Sequence, residues 1–310
     1  VGQLKIAKWL IEGDPAIKTL VQKTLLDITI HSTASGLIKR YLDLYDTTKK
    51  QWGEGVYSPK WYSTHYTLLE LRKLLIDPRE PIYQEAVRRL MELMWYNKGK
   101  VAKTRYQDTC IVGMMLNMLA YGNVNDYRIE EMIDHLLEHQ FPDGGWNCAW
   151  ERKPYPSHSS IHTTLSVIEG LWEYEKNGYR HRLSEVRNAR TNGEEYLLRK
   201  KLYLRETTNT PIINGITVCH YPQRWKYDIY KALEYFADSK HPFDLRMQPA
   251  LEIVCQKIQK GIMPAGPTYP GKIHFSISTA DKQRLTTYTA LKIIKEYKPE
   301  QYLQYLETEI

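Results

Sequence analysis

Cysteine is scarce in this chain, phenylalanine is scarcer than its length would suggest, and no long apolar run occurs. Four cysteines, Cys110, Cys148, Cys219 and Cys255, are spread over 310 residues. None forms a C-x2-C pair, and four are too few for a disulfide framework. They are expected to be reduced thiols of a cytoplasmic protein, where a special cysteine more often binds metal or reacts than staples the fold. The longest uncharged run, residues 109–125, is broken by Gly113, Asn117 and Gly122. It is too short and too polar to cross a bilayer, and the mean hydropathy of −0.53 agrees. The opening Leu4-Lys5-Ile6-Ala7-Lys8-Trp9 lacks the apolar core of a secretory leader, so none is expected. Neither G-x-S-x-G nor G-x4-G-K-[ST] is present, which leaves serine-hydrolase and P-loop chemistry without support.

What the chain does contain is ordinary core material, at 42% hydrophobic and 25% charged residues. The net charge of +7 is distributed, and the basic runs Lys49-Lys50 and Arg199-Lys200-Lys201 are short. A solvated surface accounts for it, and no nucleic-acid partner is expected. A diphosphate-bearing small molecule, or peripheral contact with anionic lipid, is the alternative use of such charge. Four Phe stand against 24 Tyr and 8 Trp. Tyrosine joins a large ring to a hydroxyl that seeks a partner, so these residues suit helix boundaries or a cavity lining.

Periodicity is helical throughout. Ile129, Met132, Ile133, Leu136 and Leu137 form one amphipathic stripe, and Ile229, Ala232, Leu233, Phe236 and Ala237 another. Leu251, Val254, Cys255 and Ile258 repeat it behind Pro249, which suits a first helical turn. Ile111 to Leu119 is apolar on all sides, as an enclosed helix would be.

A longer repeat lies above this one. Similar helix openings begin at Ser63, Asp108, His162, Tyr227 and Thr286. With Thr64, Thr109, Thr163, Asp228 and Thr287 as equivalents, the gaps are 45, 54, 65 and 59 residues. Each gap has room for a second helix. A sixth opening is expected at Asp14-Pro15. The expected fold is all-α, an α/α toroid in which about six inner and outer helix pairs close into a ring, with residues 1–310 as one domain. Parallel inner helices would gather their N-termini at one mouth, a seat for an anion or diphosphate.

One segment is especially informative. From Leu136 to Leu171 the chain reads L-x3-Q-x3-G-x-W, through Gln140, Gly144 and Trp146, and then a new helix starts at His162-Thr163-Thr164. The Gln side chain is expected to bond orphan amides at the next helix start and to stack on the Trp. A looser copy lies at Gln51 to Tyr57, with Tyr57 in the Trp place, and a degraded one around Gln259-Lys260-Gly261.

These phrases, with GDPAI from Gly13, FPDGGWNC from Phe141, YPQRWKYDIYKALEYF from Tyr221 and PGKIHFSI followed by RLTTYTALKII, resemble the QW-repeat superfamily. That superfamily includes squalene–hopene and oxidosqualene cyclases and protein prenyltransferase β subunits. The chain looks most like bacterial proteins of the prenyltransferase/squalene-oxidase-repeat type. The resemblance implies an α/α toroid that binds an isoprenoid in a central cavity. It departs from the cyclases in lacking the D-x-D-D acid, since Asp43-Leu44-Tyr45-Asp46 has the wrong spacing, and no DDxxD magnesium motif occurs.

Protein prenyltransferases hold catalytic zinc through an Asp-x-Cys at one inner helix start and a His at a later one. The resemblance therefore points to Asp108, Cys110 and His162 as zinc ligands, with Cys148 as a substitute. Three such ligands and one open position suit catalytic zinc, which lowers the pKa of a bound thiol or water. The plain alternative makes Asp108 a helix N-cap, Cys110 a small core residue and His162 a satisfied histidine. His158 and His220 could line the same mouth.

A second candidate is Tyr221 to Asp228. Trp225 and Tyr227 could offer π faces to a cation or prenyl group, Arg224 and Lys226 could neutralise a diphosphate, and Asp228 could cap a helix or act as a base. His65 and Tyr66 lie at another inner helix start. The leading expectation is a prenyltransferase-like or cyclase-like enzyme, with Asp108, His162 and Asp228 as catalytic candidates. A toroid that only binds a ligand or protein is the alternative. A saccharide-acting helical barrel, with Asp108 and Asp228 as its paired carboxylates, is the third.

Overall fold

The structure is a computed structural model that describes residues 5–103, 105–258 and 261–307. The degraded loop copy expected at Gln259-Lys260 lies outside the described residues. The fold is all-α. In chain order the helices are α1 (Lys5–Ile11), α2 (Pro15–Leu20), α3 (Gly36–Leu42), α4 (Thr64–Lys73), α5 (Pro81–Met94), α6 (Thr109–Tyr121) and α7 (Arg128–Glu138). They continue with α8 (Ile161–Lys176), α9 (Leu183–Arg199), α10 (Ile229–Asp238), α11 (Gln248–Lys257), α12 (Thr279–Tyr297) and α13 (Pro299–Glu307). Among the described residues the only sheet is a small antiparallel hairpin of β1 (Lys100–Ala102) and β2 (Arg105–Tyr106), which leads into α6.

Local sequence explains most helix starts. Pro15 and Pro249 each occupy a first turn, as expected, because a missing N–H costs nothing there. The Asp14 carboxylate accepts from Ala16 N at 2.9 Å and caps α2. One start differs from expectation. α12 begins at Thr279, ahead of the phrase at Thr286. Ser278 Oγ accepts from Asp281 N at 3.1 Å and donates to the Asp281 carboxylate at 2.8 Å, so a Ser-x-x-Asp cap starts the helix early.

The chain forms two compact units, residues Val1–Asp43, Leu74–Asp77 and Lys200–Ile310 in one, and Leu44–Lys73 and Pro78–Arg199 in the other. In the first, α12 packs on α10 and α13, and α1 packs on α2 and α13. Lys292 of α12 bridges Glu234 at 3.3 Å and Asp238 at 2.7 Å, both on α10. The Tyr302 hydroxyl donates to Leu25 O at 2.7 Å, fastening α13 to the segment after α2. Contact of α1 with α13 thus brings the first and last helices together inside this unit.

The second unit holds the candidate site. α6 packs on α4 and α8, which makes an inner row of three, while α5, α7 and α9 lie against that row. Residues 111–120 are all buried, as their all-round apolar character predicts, and each large apolar side chain so enclosed contributes about 1.5–3 kcal/mol. α6 and α8 approach very closely at two glycines. A Cβ on Gly113 would fall 2.6 Å from Ser166 O, and one on Gly170 would fall 2.4 Å from Gly113 O. Asn117 Nδ2 also donates across to Glu169 O at 3.0 Å. Arg72 on α4 pairs with the buried Glu173 carboxylate on α8. That pair joins the C-terminal ends of these helices and leaves their N-terminal ends for the site.

Candidate metal centre

The loops that precede α4 and α8 and the loop around Met263 share one recurring bond. Trp52 N donates to Thr64 Oγ1 at 3.0 Å, Trp146 N to Thr164 Oγ1 at 3.0 Å, and Met263 N to Thr287 Oγ1 at 3.0 Å. In each, a backbone N–H in the loop finds a threonine hydroxyl on the following helix. This revises the expected register by one residue, because Thr164 rather than Thr163 is the counterpart of Thr64 and Thr287. Trp52, not Tyr57, is the counterpart of Trp146. Tyr57 instead accepts from the Tyr66 hydroxyl at 3.1 Å.

The residues of L-x3-Q-x3-G-x-W bond to one another. The Trp146 indole is wholly buried and donates to Leu136 O at 2.7 Å. Gln140 Nε2 donates to Gly144 O at 2.7 Å and to Ala189 O on α9 at 2.8 Å. The NH2 thus serves two carbonyls, and among the described residues no α8 amide makes the expected bond to Gln140 Oε1. Ser160 caps that helix instead. Gly144 sits at φ +96°, and a Cβ there would lie 2.6 Å from Asn192 O.

This clamp delivers Cys148 to the start of α8, where Cys148 N donates to Thr163 Oγ1 at 3.3 Å. From the start of α6 come Asp108 and Cys110. The carboxylate and the two sulfurs lie within 4.8 Å of one another, and all three side chains are half-buried. His162, expected as the third ligand, is half-buried on the first turn of α8 and stands outside this trio. The loop thiol takes that place because the clamp folds residues 146–148 back along the helix start. His158 is exposed and hydrogen-bonds Ser157.

The electrostatics of the trio are asymmetric. The hydrogen bond from Cys110, helped by the Thr163 hydroxyl and the Arg152 charge, brings the Cys148 thiol down to about 6. Being the donor in that bond, and being more enclosed, holds Cys110 well above the ordinary thiol range. Asp108 stands at the N-cap position but makes no cap hydrogen bond. Its carboxylate pairs with Arg152 and lies 3.5 Å from Arg105, so its expected capping role is not realised. Sequence reading passed over both arginines, although Arg105 lies three residues before Asp108 and Arg152 four after Cys148.

Burial, with the nearby charges of Cys110, Asp108 and Cys148, pushes the Tyr57 hydroxyl up to about 12. His65 packs against Tyr57 and Tyr66 with centroids 5.1 and 5.0 Å away, is wholly buried, and is held neutral by that burial. Elsewhere in this unit Trp150 lies 3.8 Å from the His139 ring, and His139 lies 4.3 Å from His135.

The second candidate group belongs to the first unit. Asp228 is a buried cap, its carboxylate accepting from Lys231 N at 2.8 Å. His220 Nδ1 lies 4.0 Å from Asp228 Oδ2, and its ring stacks on Tyr269 at 4.6 Å. Tyr227 is buried and donates to Leu202 O at 2.6 Å, so its ring belongs to the packing. Lys226 Nζ sits 4.2 Å over the Trp225 ring, so the ring face expected to receive a ligand cation or prenyl group carries a lysine of the same phrase. Arg224 adopts φ +60°, and its carbonyl accepts from Lys231 Nζ at 3.4 Å.

No family model, no curated protein and no solved structure matches the chain.

Proposed function

We propose that the chain is a zinc-thiolate protein of helical-hairpin repeats, with Asp108, Cys110 and Cys148 as the metal ligands. The observation that carries the reading is the convergence of one carboxylate and two sulfurs, from two helix starts, within 4.8 Å. The donor set fits zinc. Bonds of about 2.0–2.3 Å in a tetrahedron need donors roughly 3.3–3.8 Å apart, which small side-chain rotations supply, and three ligands leave a fourth position open. The ion would supply a nucleophile near neutral pH by lowering the pKa of a bound thiol or water. The chain's residues do the rest. Thr163 and Arg152 favour the Cys148 thiolate, and Arg105 and Arg152 orient Asp108. Arg152 is about half exposed, so its guanidinium can meet an anionic substrate group while it pairs with Asp108.

The likeness of the repeat phrases to prenyltransferases supports an isoprenoid diphosphate as substrate and prenyl transfer to a thiol as the reaction. Fold-level likeness alone does not fix chemistry, so two measurements are needed. Protein purified without chelators should hold about one equivalent of zinc, and C110S and C148S should hold less than about one-tenth. Wild type below one-tenth, with no rise on reconstitution, would overturn the metal site. Zinc-loaded protein should then prenylate a small thiol, and the D108A variant should not.

A second reading has its own support. Asp108 is already paired with Arg152, and the two thiols satisfy each other, so the trio is self-consistent without an ion. A ligand-binding protein that has no turnover would show unchanged affinity for its ligand in D108A.

A further inference from the structure

We propose that Cys110 and Cys148 form a reversible dithiol–disulfide pair that consumes a hydroperoxide. The reading does not need zinc and goes beyond it. Cys110 lies on the first turn of α6 and Cys148 in the clamped loop, 38 positions later in sequence, yet their sulfurs lie within 4.8 Å of each other. Both are free thiols, and both are partly exposed. Cys219, by contrast, is buried. The fold therefore places this cysteine pair in position to cross-link.

The roles within the pair follow from enclosure and placement. Cys148 is the less enclosed sulfur and sits beside the Arg152 side chain, which can polarise the peroxide O–O bond. Its sulfur attacks one peroxide oxygen. An S–O bond forms, the O–O bond breaks, and the alkoxide or hydroxide leaves with the thiol proton as an alcohol or water. Cys110 then attacks the sulfenic sulfur. The S–S bond forms, the S–O bond breaks, and hydroxide leaves with the Cys110 proton as water. Two thiols are oxidised and one hydroperoxide is reduced, so the electrons balance. The disulfide would tie the loop after Trp146 to the start of α6. It would also remove two of the three donors of the metal centre, so zinc and the disulfide exclude each other.

The test uses the full chain, stripped of metal by chelator and treated with one equivalent of hydrogen peroxide. Cys110 and Cys148 fall on separate tryptic peptides, Tyr106–Arg128 and Ile129–Arg152. The expected result is a cross-linked peptide pair, lighter by two hydrogens, with loss of two of the four thiols and full recovery in dithiothreitol. C110S should instead trap a sulfenic acid on Cys148 that a dimedone probe captures, while C148S should lose nearly all peroxide sensitivity. Sulfinic acid on Cys148 without a cross-link in wild type, or oxidation spread evenly over the four cysteines, would overturn the proposal. Far-UV dichroism of each variant separates a folding failure from lost reactivity. A parallel arm adds zinc before peroxide. Protection supports both readings. A cross-link that forms at the same rate with zinc present leaves this proposal standing and counts against the metal site alone.

Discussion

The loop before α4 and the loop before α8 each offer a tryptophan N–H to a threonine hydroxyl on the following helix, at 3.0 Å in both. Both indoles are wholly buried. Two residues past the tryptophan, however, the first loop carries Glu54 and the second carries Cys148. One residue before the clamping threonine, Ser63 donates to Tyr57 O at 2.8 Å, whereas Thr163 accepts from Cys148 N. The same scaffold thus serves two purposes. The clamp sets where a loop runs along a helix start, and the identity of two or three side chains decides whether that start acquires chemistry. At the second loop the neighbouring helix α6 brings Asp108 and Cys110 to the same place, so three donor side chains meet there.

The comparison breaks if the two clamps do not bear equal structural load. W52A and W146A should each lower unfolding free energy by about 3–5 kcal/mol, the usual cost of emptying a large buried aromatic site. Urea denaturation of both variants measures it. A loss confined to one of them would mean that the loops share a bond but not a role.

Sequence made the scaffold legible and the site only half so. The stripes of α7 and α10 and the all-round apolar α6 followed from side-chain period, because burial alone dictates them. The start of α12 was missed because a repeat phrase at Thr286 drew attention away from the cap at Ser278. Within the site, Asp108 and Cys110 were found because they are adjacent on one helix. Cys148 is the less obvious ligand beside His162 because spacing along the chain does not reveal that the loop runs back against Thr163 and Thr164. Arg105 and Arg152 had no pattern to mark them at all, since their relation to Asp108 exists only in three dimensions.

A finer test removes the clamp bond and keeps the indole. T64V and T164V keep the shape of the side chain but leave a buried Trp N–H without its acceptor, which should cost about 1–3 kcal/mol in each loop. The same denaturation series reads it. In T164V the loop should also drift, so alkylation of Cys148 should change while the T64V variant leaves that rate alone. Equal Cys148 reactivity in the two variants would show that Cys148 is held by Thr163 and not by the clamp.

The smallest effect expected is electrostatic, and it distinguishes the two loops most directly. In metal-free protein, the neighbouring Cys110 side chain should bring the Cys148 thiol down to about 6. Its alkylation by iodoacetamide should therefore rise with a midpoint near that value. In C110S the serine hydroxyl can still donate, so the midpoint should stay low, whereas in C110A it should move up toward the ordinary thiol range. A cysteine introduced by E54C in the first loop, which has no Cys110 beside it, should titrate in that ordinary range from the outset. Stability should follow the same proton. A depressed thiol pKa stabilises the fold above the unfolded value and loses that contribution as pH falls through about 6. Cys110 acts in the opposite sense, because its raised pKa stabilises the fold below the unfolded value and is lost as pH climbs through the folded one. Stability of the metal-free chain should therefore climb from pH 6 toward the ordinary thiol range and fall beyond it. C148A should flatten the rising limb, C110A the falling one, and a wild-type curve without either limb would remove the thiol pair from the account of this loop.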